Sequence, residues 1–378
     1  MNRAPCWLTL LLLGTGLSAV RANAQPAATD AIRVKLQRLA DSVVAARPQL
    51  PGLLIYAKSG ATGRTWRIAS GMADTARRTR LEADLPVRIA SNTKSYTAAA
   101  ILRLMEQGKI ALSDPLSQHL SPELNALLVK DGYATDRITI EHVLSHRAGF
   151  AEHPEVPAYV TVVLSTPRKR WTREEQVRWM VDSLAPIGAP GERYKYSDTG
   201  YILLGDILER LTGKNIAAAV RELVGFERLG LTRTWWETLE PAPPRARDRV
   251  HQYIDGTDSY GIDPSFDLYG GGGITAPLEE LGAFVEALVT GKVLERRETL
   301  DTMLAPRGTD RGGYGLGVYP LTTGGEKGYG HTGFWGTAAF HFPASKLTLA
   351  VAVTEQTQGE VITPTIAAAF RTIAGGGR

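Results

Sequence analysis

The sequence predicts an α+β fold in which one antiparallel sheet, built from both ends of the chain, is flanked by helices and carries a helical insertion. Strand-like segments occur near the beginning of the chain and again near its end. The segments between them repeat apolar residues at helical spacing. An apolar content of 43% and a charged content of 22% are typical of a globular chain, and no repeat of fixed period is present.

The first elements are a helix and a hairpin. In "DAIRVKLQRLADSVVAAR", apolar residues such as Leu36, Leu39 and Val43 recur at helical spacing, which predicts an amphipathic helix. "GLLIYAKSGATGRTWRIAS" predicts two strands joined by a turn that contains glycine. A helix follows that begins near Ser91 and ends near Gly108.

The middle of the chain predicts further helices, in "TIEHVLSHRAG", "TREEQVRWMVDSLA" and "SDTGYILLGDILERLTG". A proline-rich crossing and a loop follow, and then the helix of "PLEELGAFVEALVTG", for which Thr275 is the expected N-cap. Aromatic residues of that loop are candidates for the wall of a cleft: Tyr253, Tyr260, Phe266 and Tyr269.

The end of the chain predicts strands again. "GYGLGVYPL", "GTAAFHFP" and "LTLAVAVTE" alternate or run apolar, and Pro343 and Ser345 indicate a turn between the last two. "TPTIAAAFRTIA" predicts a final helix. Strands at both ends with helices between them are the basis for the α+β prediction.

The N-terminus predicts an export signal. Arg3 is followed by the apolar run "CWLTLLLLGTGLSAV" and by an A-x-A cleavage site at residues 22–24. We expect residues 1–24 to be removed and the product to be periplasmic or secreted. The alternative is a retained membrane anchor, for which the apolar run is short, and no later segment is apolar enough to span a membrane.

Cysteine content and charge exclude several function classes. Cys6 is the single cysteine, so a chain cleaved after residue 24 has no disulfide and no catalytic thiol. Cleavage removes two of the 43 basic residues and no acid, which leaves 41 bases against 39 acids. Near-neutral charge with only short basic clusters gives no reason to expect a nucleic-acid partner.

Ser91 and Lys94 are the first candidate catalytic pair. Residues three apart on a helix share a face, so the lysine amine can reach the serine hydroxyl. A serine becomes a nucleophile when a neighbour takes its proton, and the N-terminus of a helix favours the negative charge that develops. The alternative is an ordinary serine at a helix start.

Two further segments carry polar groups suited to chemistry. In "RYKYSDTGYILLG", Tyr196 precedes a helix and could serve as a base or a proton shuttle, unless it only packs while Asp198 caps the helix. In "GYGHTGFWGTAAFHF", His331 and Thr332 could hold a substrate carboxylate or carbonyl, and Gly333 allows close approach. The alternative for this triplet is a plain hairpin entry.

The three motifs, in this order, resemble the S-x-x-K, Y-x-N and K-T-G or H-T-G pattern of serine β-lactamases and penicillin-binding proteins. The second motif is similar to that of the class C β-lactamase branch, which also includes D-alanyl-D-alanine carboxypeptidases, D-aminopeptidases and carboxylesterases. The resemblance covers roughly residues 30–375. It implies a β-lactamase/transpeptidase-like fold and a serine hydrolase that needs no metal and no other cofactor.

The resemblance also implies residue roles. Ser91 would be the acylated nucleophile, Lys94 would assist its deprotonation, and Tyr196 would carry protons. The backbone N–H groups of Ser91 and Phe334 would form the oxyanion hole. Substrate contacts would come from Asp198, His331, Thr332 and Gly333.

Two positions depart from the β-lactamase pattern. Asp198 replaces the usual asparagine, and an ionised carboxylate cannot donate an N–H to a substrate. It would also favour a protonated Lys94 and shift the base role toward Tyr196. His331 replaces the usual lysine, which makes carboxylate anchoring weaker or pH-dependent. These features favour a carboxypeptidase or esterase over an efficient β-lactamase.

We therefore expect an exported hydrolase that cleaves an amide or ester bond through an acyl-serine. Its substrate would be a small molecule or peptide: a D-Ala-D-Ala-type peptide, a β-lactam or a carboxylic ester. Residues 25–378 would form the catalytic domain, with an α/β part at about 25–90 and 245–378 and a helical part at about 91–244.

Two alternatives remain open at this point. Asp198 could mark a non-catalytic module that only binds cell-wall peptides or β-lactams. A metal hydrolase is the other, because His142 and His146 are four residues apart on a predicted helix and His153 follows, although no H-E-x-x-H motif is present. The "GGGGIT" run lacks the pattern of a phosphate loop. It predicts a turn that lets the chain and a substrate approach each other closely.

Overall fold

The architecture comes from a computed structural model, which describes Met1 and residues 30–244, 246–308 and 313–375. The predicted signal peptide, apart from Met1, lies outside the described residues. Within them the helices are α1 (Ala31–Ala45), α2 (Thr93–Glu106), α3 (Leu116–His119), α4 (Pro122–Lys130), α5 (Ile140–Leu144), α6 (Pro157–Ser165), α7 (Arg173–Val181), α8 (Asp198–Thr212), α9 (Ile216–Val224), α10 (Phe226–Leu229), α11 (Leu278–Val289), α12 (Arg297–Leu304) and α13 (Ile362–Ala374).

The strands form one large sheet and two small ones. In chain order they are β1 (Gly52–Ser59), β2 (Arg64–Asp74), β3 (Thr79–Arg80), β4 (Val87–Arg88), β5 (Trp235–Trp236), β6 (Tyr253–Ile254), β7 (Thr257–Asp258), β8 (Ile274–Ala276), β9 (Tyr319–Thr323), β10 (Glu326–Gly333), β11 (Thr337–Phe342) and β12 (Leu347–Val353). The large sheet has the order β3-β2-β1-β12-β11-β10-β9, the second sheet is β4-β8-β5, and β6 pairs with β7.

The large sheet joins the two ends of the chain, as predicted. β1 and β12 pair antiparallel in the register Leu53↔Val353, and the other neighbours in this sheet are antiparallel as well. All seven residues of β12 are buried, which explains its continuous apolar run. The α+β prediction, and the antiparallel sheet built from both termini, are confirmed.

Successive side chains of each strand point to opposite faces of the large sheet, which divides the core into two layers. Leu53 and Val353 face α1 and α13, whereas Tyr56 and Ala352 face α11 on the opposite side. The larger of these two cores continues from α11 into the helical middle of the chain, where α2 packs against α8 and α9. The start of α2, which carries the S-x-x-K motif, is therefore held between the sheet and the helices.

Three predicted elements differ from the structure. The helix of "TIEHVLSHRAG" ends at Leu144, because the chain turns at His146, whose φ is +58°. Thr275 lies within β8, and α11 begins after Pro277, so Thr275 is not its N-cap. "GYGLGVYPL" enters the sheet only at Tyr319. We did not predict β10 as a strand, since its glycines remove the alternating pattern that identifies one.

No helix in the described ranges is long and apolar enough to cross a bilayer.

Candidate active site

Ser91 lies in a short 3-10 turn, Ala90–Asn92, directly before α2. Ala90 has a φ of +47°, an uncommon conformation for a residue with a side chain. The Asn92 amide holds this turn, because its Nδ2 donates to the Ile89 carbonyl at 2.9 Å and to Thr337 Oγ1 at 3.0 Å. The turn is thereby tied to β11, and the Ser91 hydroxyl is presented at the junction of sheet and helices.

Lys94 is buried one turn further along and is fully excluded from solvent. Its Nζ lies 2.9 Å from Ser91 Oγ and 2.9 Å from the Gly271 carbonyl oxygen. The third partner of Nζ is the Asp198 carboxylate. Three acceptors match the three N–H groups of an ammonium, so the geometry suits a positively charged Lys94.

Tyr196 contacts the same serine. Its hydroxyl forms a hydrogen bond with Ser91. The Lys94 Nζ lies 5.0 Å from the centre of the Tyr196 ring, within the range of a cation–π contact. Burial, followed by the charge of Asp198, raises the pKa of Tyr196 well above its usual value. Tyr196 is thus a neutral phenol in the resting protein.

Asp198 reaches Lys94 because another residue caps its helix. The cap of α8 is Ser197, whose Oγ accepts a hydrogen bond from the Gly200 N–H at 3.3 Å. The Asp198 backbone N–H donates to the Glu152 carboxyl, and the Asp198 side chain is left to face Lys94. The capping alternative for Asp198 does not hold.

The third motif lies on β10, beside the turn that carries Ser91. A Cβ added to Gly333 would lie 2.2 Å from the Ile89 carbonyl oxygen, so only glycine permits this approach. Thr332 Oγ1 accepts a hydrogen bond from the Tyr319 hydroxyl at 2.7 Å. Phe334 follows in the turn before β11 and is 51% exposed, which makes it part of the site's outer edge.

The imidazole of His331 is buried, with 2% exposure. Its Nδ1–H donates to the Thr332 carbonyl, and its Nε2 lies 2.9 Å from the Tyr314 hydroxyl. The His331 ring centre is 6.3 Å from that of Tyr196. Both ring nitrogens take part in hydrogen bonds inside the protein. Anchoring of a substrate carboxylate by His331 stays a prediction.

Three groups of this site were missed by sequence reasoning: Glu152, Asp267 and the Gly271 carbonyl. Burial, and then the charge of Asp198, raises the pKa of Glu152 well above its usual value. Burial and Asp198 likewise raise the pKa of Asp267 to about 7. The glycine run explains part of this geometry, since a Cβ on Gly272 would lie 2.0 Å from Asp267 Oδ2. No sequence motif marks these acids, because they are distant in the chain.

Asp267 gives a pH-dependent prediction. An unfolded aspartate has a pKa near 3.9, whereas the folded pKa of Asp267 is about 7, so the folded state holds an extra proton between these values. The contribution of Asp267 to the free energy of unfolding therefore falls as pH rises from about 4 to about 7. We expect Asp267→Asn to raise Tm relative to the wild type by more at pH 8 than at pH 5, measured by thermal unfolding.

The matched control for this prediction is Asp136→Asn, because Asp136 is exposed and remote from the site in sequence. Its effect on Tm should be the same at the two pH values. A Tm difference for Asp267→Asn that does not change with pH would contradict the assignment of a raised pKa to this carboxyl.

A cleft opens beside Ser91. Asp198 and Asp267 line it as well. Its remaining walls are mainly apolar, and include Tyr159, Val163, Ile202, Ile262, Phe266 and Trp335. Of the four aromatic residues that we expected in a cleft wall, Phe266 alone is in this one. The Tyr253 hydroxyl instead accepts from the Thr75 N–H, Tyr260 stacks on His251, and the Tyr269 hydroxyl donates to the Trp171 carbonyl.

The three histidines of the metal alternative have separate structural partners. His142 Nδ1 accepts a hydrogen bond from the Thr139 N–H and completes a capping box. His146 Nδ1 accepts from the Ser197 N–H, and His153 Nδ1 lies 2.9 Å from Thr199 Oγ1. Over residues 30–244, 246–308 and 313–375, no group of three or more metal-ligating side chains is assembled.

The chain is similar to known proteins in family and in sequence. The family model described as Beta-lactamase matches residues 40–370. Esterase EstB of Burkholderia gladioli is 30% identical over 216 residues, which are 56% of this chain and 53% of EstB. The D-alanyl-D-alanine-carboxypeptidase/endopeptidase AmpH of Escherichia coli K12 is 30% identical over 204 residues, 51% of this chain and 49% of AmpH. The chain thus matches about half the length of these curated relatives.

Solved structures extend the likeness over nearly the whole fold. The D-amino acid amidase of Ochrobactrum anthropi SV3, complexed with D-phenylalanine, has a TM-score of 0.76. The superposition covers 91% of this chain and 99% of the amidase, at 21% sequence identity. A likeness at that identity concerns the fold alone.

Proposed function

Because this chain belongs to the beta-lactamase family of serine hydrolases, we propose that Ser91 attacks the carbonyl carbon of an ester or amide and becomes acylated. The observation that supports this most is the pair of contacts on one hydroxyl. Lys94 Nζ lies 2.9 Å from Ser91 Oγ, and the Tyr196 hydroxyl forms a hydrogen bond with the same serine.

Acylation requires the serine proton to reach the leaving group. In the proposed step a bond forms between Ser91 Oγ and the carbonyl carbon, and the bond to the leaving group breaks. Tyr196 accepts the serine proton while it donates its own phenolic proton to the leaving oxygen or nitrogen. This relay needs no phenolate, in keeping with the raised pKa of Tyr196. Lys94, charged and paired with Asp198, stabilises the negative charge that develops on the two hydroxyl oxygens.

Deacylation uses the same groups in reverse. A water molecule attacks the acyl carbon, gives its proton through Tyr196 to Ser91 Oγ, and releases the carboxylic acid. The proposed oxyanion hole consists of the backbone N–H groups of Ser91 and Phe334. The close approach of Gly333 to the Ile89 carbonyl supports this arrangement, since it brings the two chain segments side by side.

The finer parts of this function are also proposals. We propose that the protein is exported to the periplasm or the medium, and that residues 25–378 form its catalytic domain. The names of the relatives include an esterase and a D-alanyl-D-alanine carboxypeptidase, and both kinds of reaction proceed through attack on a carbonyl carbon. We favour esters of small carboxylic acids over β-lactams, because the Asp198 side chain has no N–H to offer an acylamide carbonyl.

Labelling with a fluorophosphonate tests the nucleophile. The reagent forms a phosphorus–oxygen bond with an activated serine and releases fluoride. We expect one adduct by intact mass, located on the tryptic peptide of residues 89–94, which contains Ser91 as its single serine. An adduct on another peptide, or none, would contradict the proposal. A labelled Ser91 in a chain that turns over no ester or amide would favour the non-catalytic binding module instead.

A further inference from the structure

The mouth of the cleft beside Ser91 is unusually apolar for a surface. Val160 and Leu164 on α6 are 42% and 45% exposed, and Phe334 on the opposite edge is 51% exposed. Of the large apolar side chains exposed in the described part of the chain, apart from Met1, Val129 alone lies elsewhere. Apolar side chains gathered at the rim of a concave site indicate a surface that is covered when a ligand binds.

The position of Tyr196 tells which part of a substrate occupies the cleft. A leaving group must lie beside the group that protonates it, and in the proposed mechanism that group is Tyr196. Ser91 and Asp198 line the cleft, whereas Tyr196 is not among the described residues that do. The leaving group therefore lies on the Tyr196 side of Ser91, and the cleft on the Asp198 side receives the acyl part.

One part of the cleft wall is acidic. Asp198 and Asp267 both line it, and two buried cations nearby are already paired, Lys94 with Asp198 and Arg88 with Glu237. A carboxylate brought in by the substrate would meet these acids in a poorly hydrated space, where repulsion between like charges is strong. An acyl group that ends in a carboxylate is thus disfavoured.

The back wall of the cleft is a small core of its own. Tyr159 and Val163 of α6 pack with Trp171 and Ile262 in a cluster separate from the two main cores. The Tyr159 hydroxyl donates to the Phe266 carbonyl at 3.1 Å, which fixes α6 against the loop that carries Asp267. The apolar surface is therefore a formed wall rather than a loose covering.

From these observations we infer that the cleft is the acyl-binding site and that it selects uncharged, apolar acyl groups of several carbons. Val160, Leu164 and Phe334 are the residues that extend this selectivity to the longer chains. The inference rests on the proposed acyl-enzyme function and deepens it by naming the class of acyl group.

A series of p-nitrophenyl esters tests the inference with one constant leaving group. Burial of one methylene group is worth about a fourfold gain in affinity. We expect kcat/KM to rise at least about tenfold from acetate to hexanoate. The p-nitrophenyl monoester of adipic acid has the same six carbons with a terminal carboxylate, and we expect its kcat/KM to be at least about tenfold below that of hexanoate.

Leu164→Asp supplies the test by mutation. Leu164 is exposed, so the change places a charge at the rim without opening a cavity. We expect the ratio of kcat/KM for hexanoate to that for acetate to fall at least about fivefold. Val160→Asp should act in the same direction. Val129→Asp is the matched control, since it changes an exposed valine on α4 outside the cleft and should leave the ratio unchanged.

The outcomes separate this inference from the function on which it rests. Turnover of acetate with no gain for hexanoate, equal use of adipate monoester and hexanoate, or an unchanged ratio in both rim variants would overturn the acyl site and leave the hydrolase standing. If no ester is turned over and the fluorophosphonate leaves Ser91 unlabelled, the proposed function fails and the acyl site fails with it.

Discussion

Ser91→Ala is expected to lower kcat/KM for an activated ester at least about 10⁴-fold. The turnover that remains would come from substrate binding and the oxyanion hole alone. The reason is that alanine removes the atom to which the acyl group would be attached. Lys94 and Tyr196 both contact that oxygen, so neither can assist the reaction once the oxygen is removed. The measurement is steady-state release of p-nitrophenol from purified wild type and variant.

Ser95→Ala is the matched control for this prediction. Ser95 lies on the same helix one turn further on, and its buried hydroxyl donates to the Gly317 carbonyl at 2.6 Å. Its loss should reduce stability more than turnover, with kcat/KM within about fivefold of the wild type. Retention of more than about a hundredth of wild-type turnover in folded Ser91→Ala would mean that another residue is the nucleophile.

Lys94→Met is the second change with a large expected effect, a loss of roughly 10³-fold in kcat. Methionine keeps the length of the side chain but removes the charge that lies between Ser91, Asp198 and the Gly271 carbonyl. The Asp198 carboxylate is then left without its cation. Breaking a buried pair costs about 3–5 kcal/mol in the free energy of unfolding. The loss here should be smaller, because the Asp198 side chain is 25% exposed.

The double variant Lys94→Met/Asp198→Asn separates stability from catalysis. Neutralising Asp198 removes the unpaired charge, so we expect Tm to recover most of what Lys94→Met lost. Turnover should stay low, because the positive charge beside Ser91 is still absent. If turnover returned together with Tm, Lys94 would have a structural role only. Rates and Tm values of both single variants and the double variant form the cycle that decides this.

The role of Asp198 depends on a contact with a distant residue and not on its place in its own helix. Its position at the first turn of α8 made a helix cap the simplest interpretation, yet Ser197 performs that role. The carboxylate instead meets a lysine 104 positions earlier in the chain. A pattern of spacing within one helix contains no information about a partner on another helix, so only the family resemblance led us to expect Asp198 near Lys94.

The sequence by itself determined the α+β class, the β1–β2 hairpin and the closing strands, because alternation and helical periodicity are local properties of the chain. It also determined that Ser91 and Lys94 meet, since three residues along a helix bring two side chains to one face.

Tertiary structure alone decided the rest. It placed Glu152 and Asp267 beside Asp198, turned the His331 ring inward toward Tyr314, and gathered an apolar rim from two separate segments. The physical reason is that burial, pKa values and the shape of a cleft depend on which surfaces pack together. That packing is set by contacts between residues far apart in the chain, which no local pattern contains.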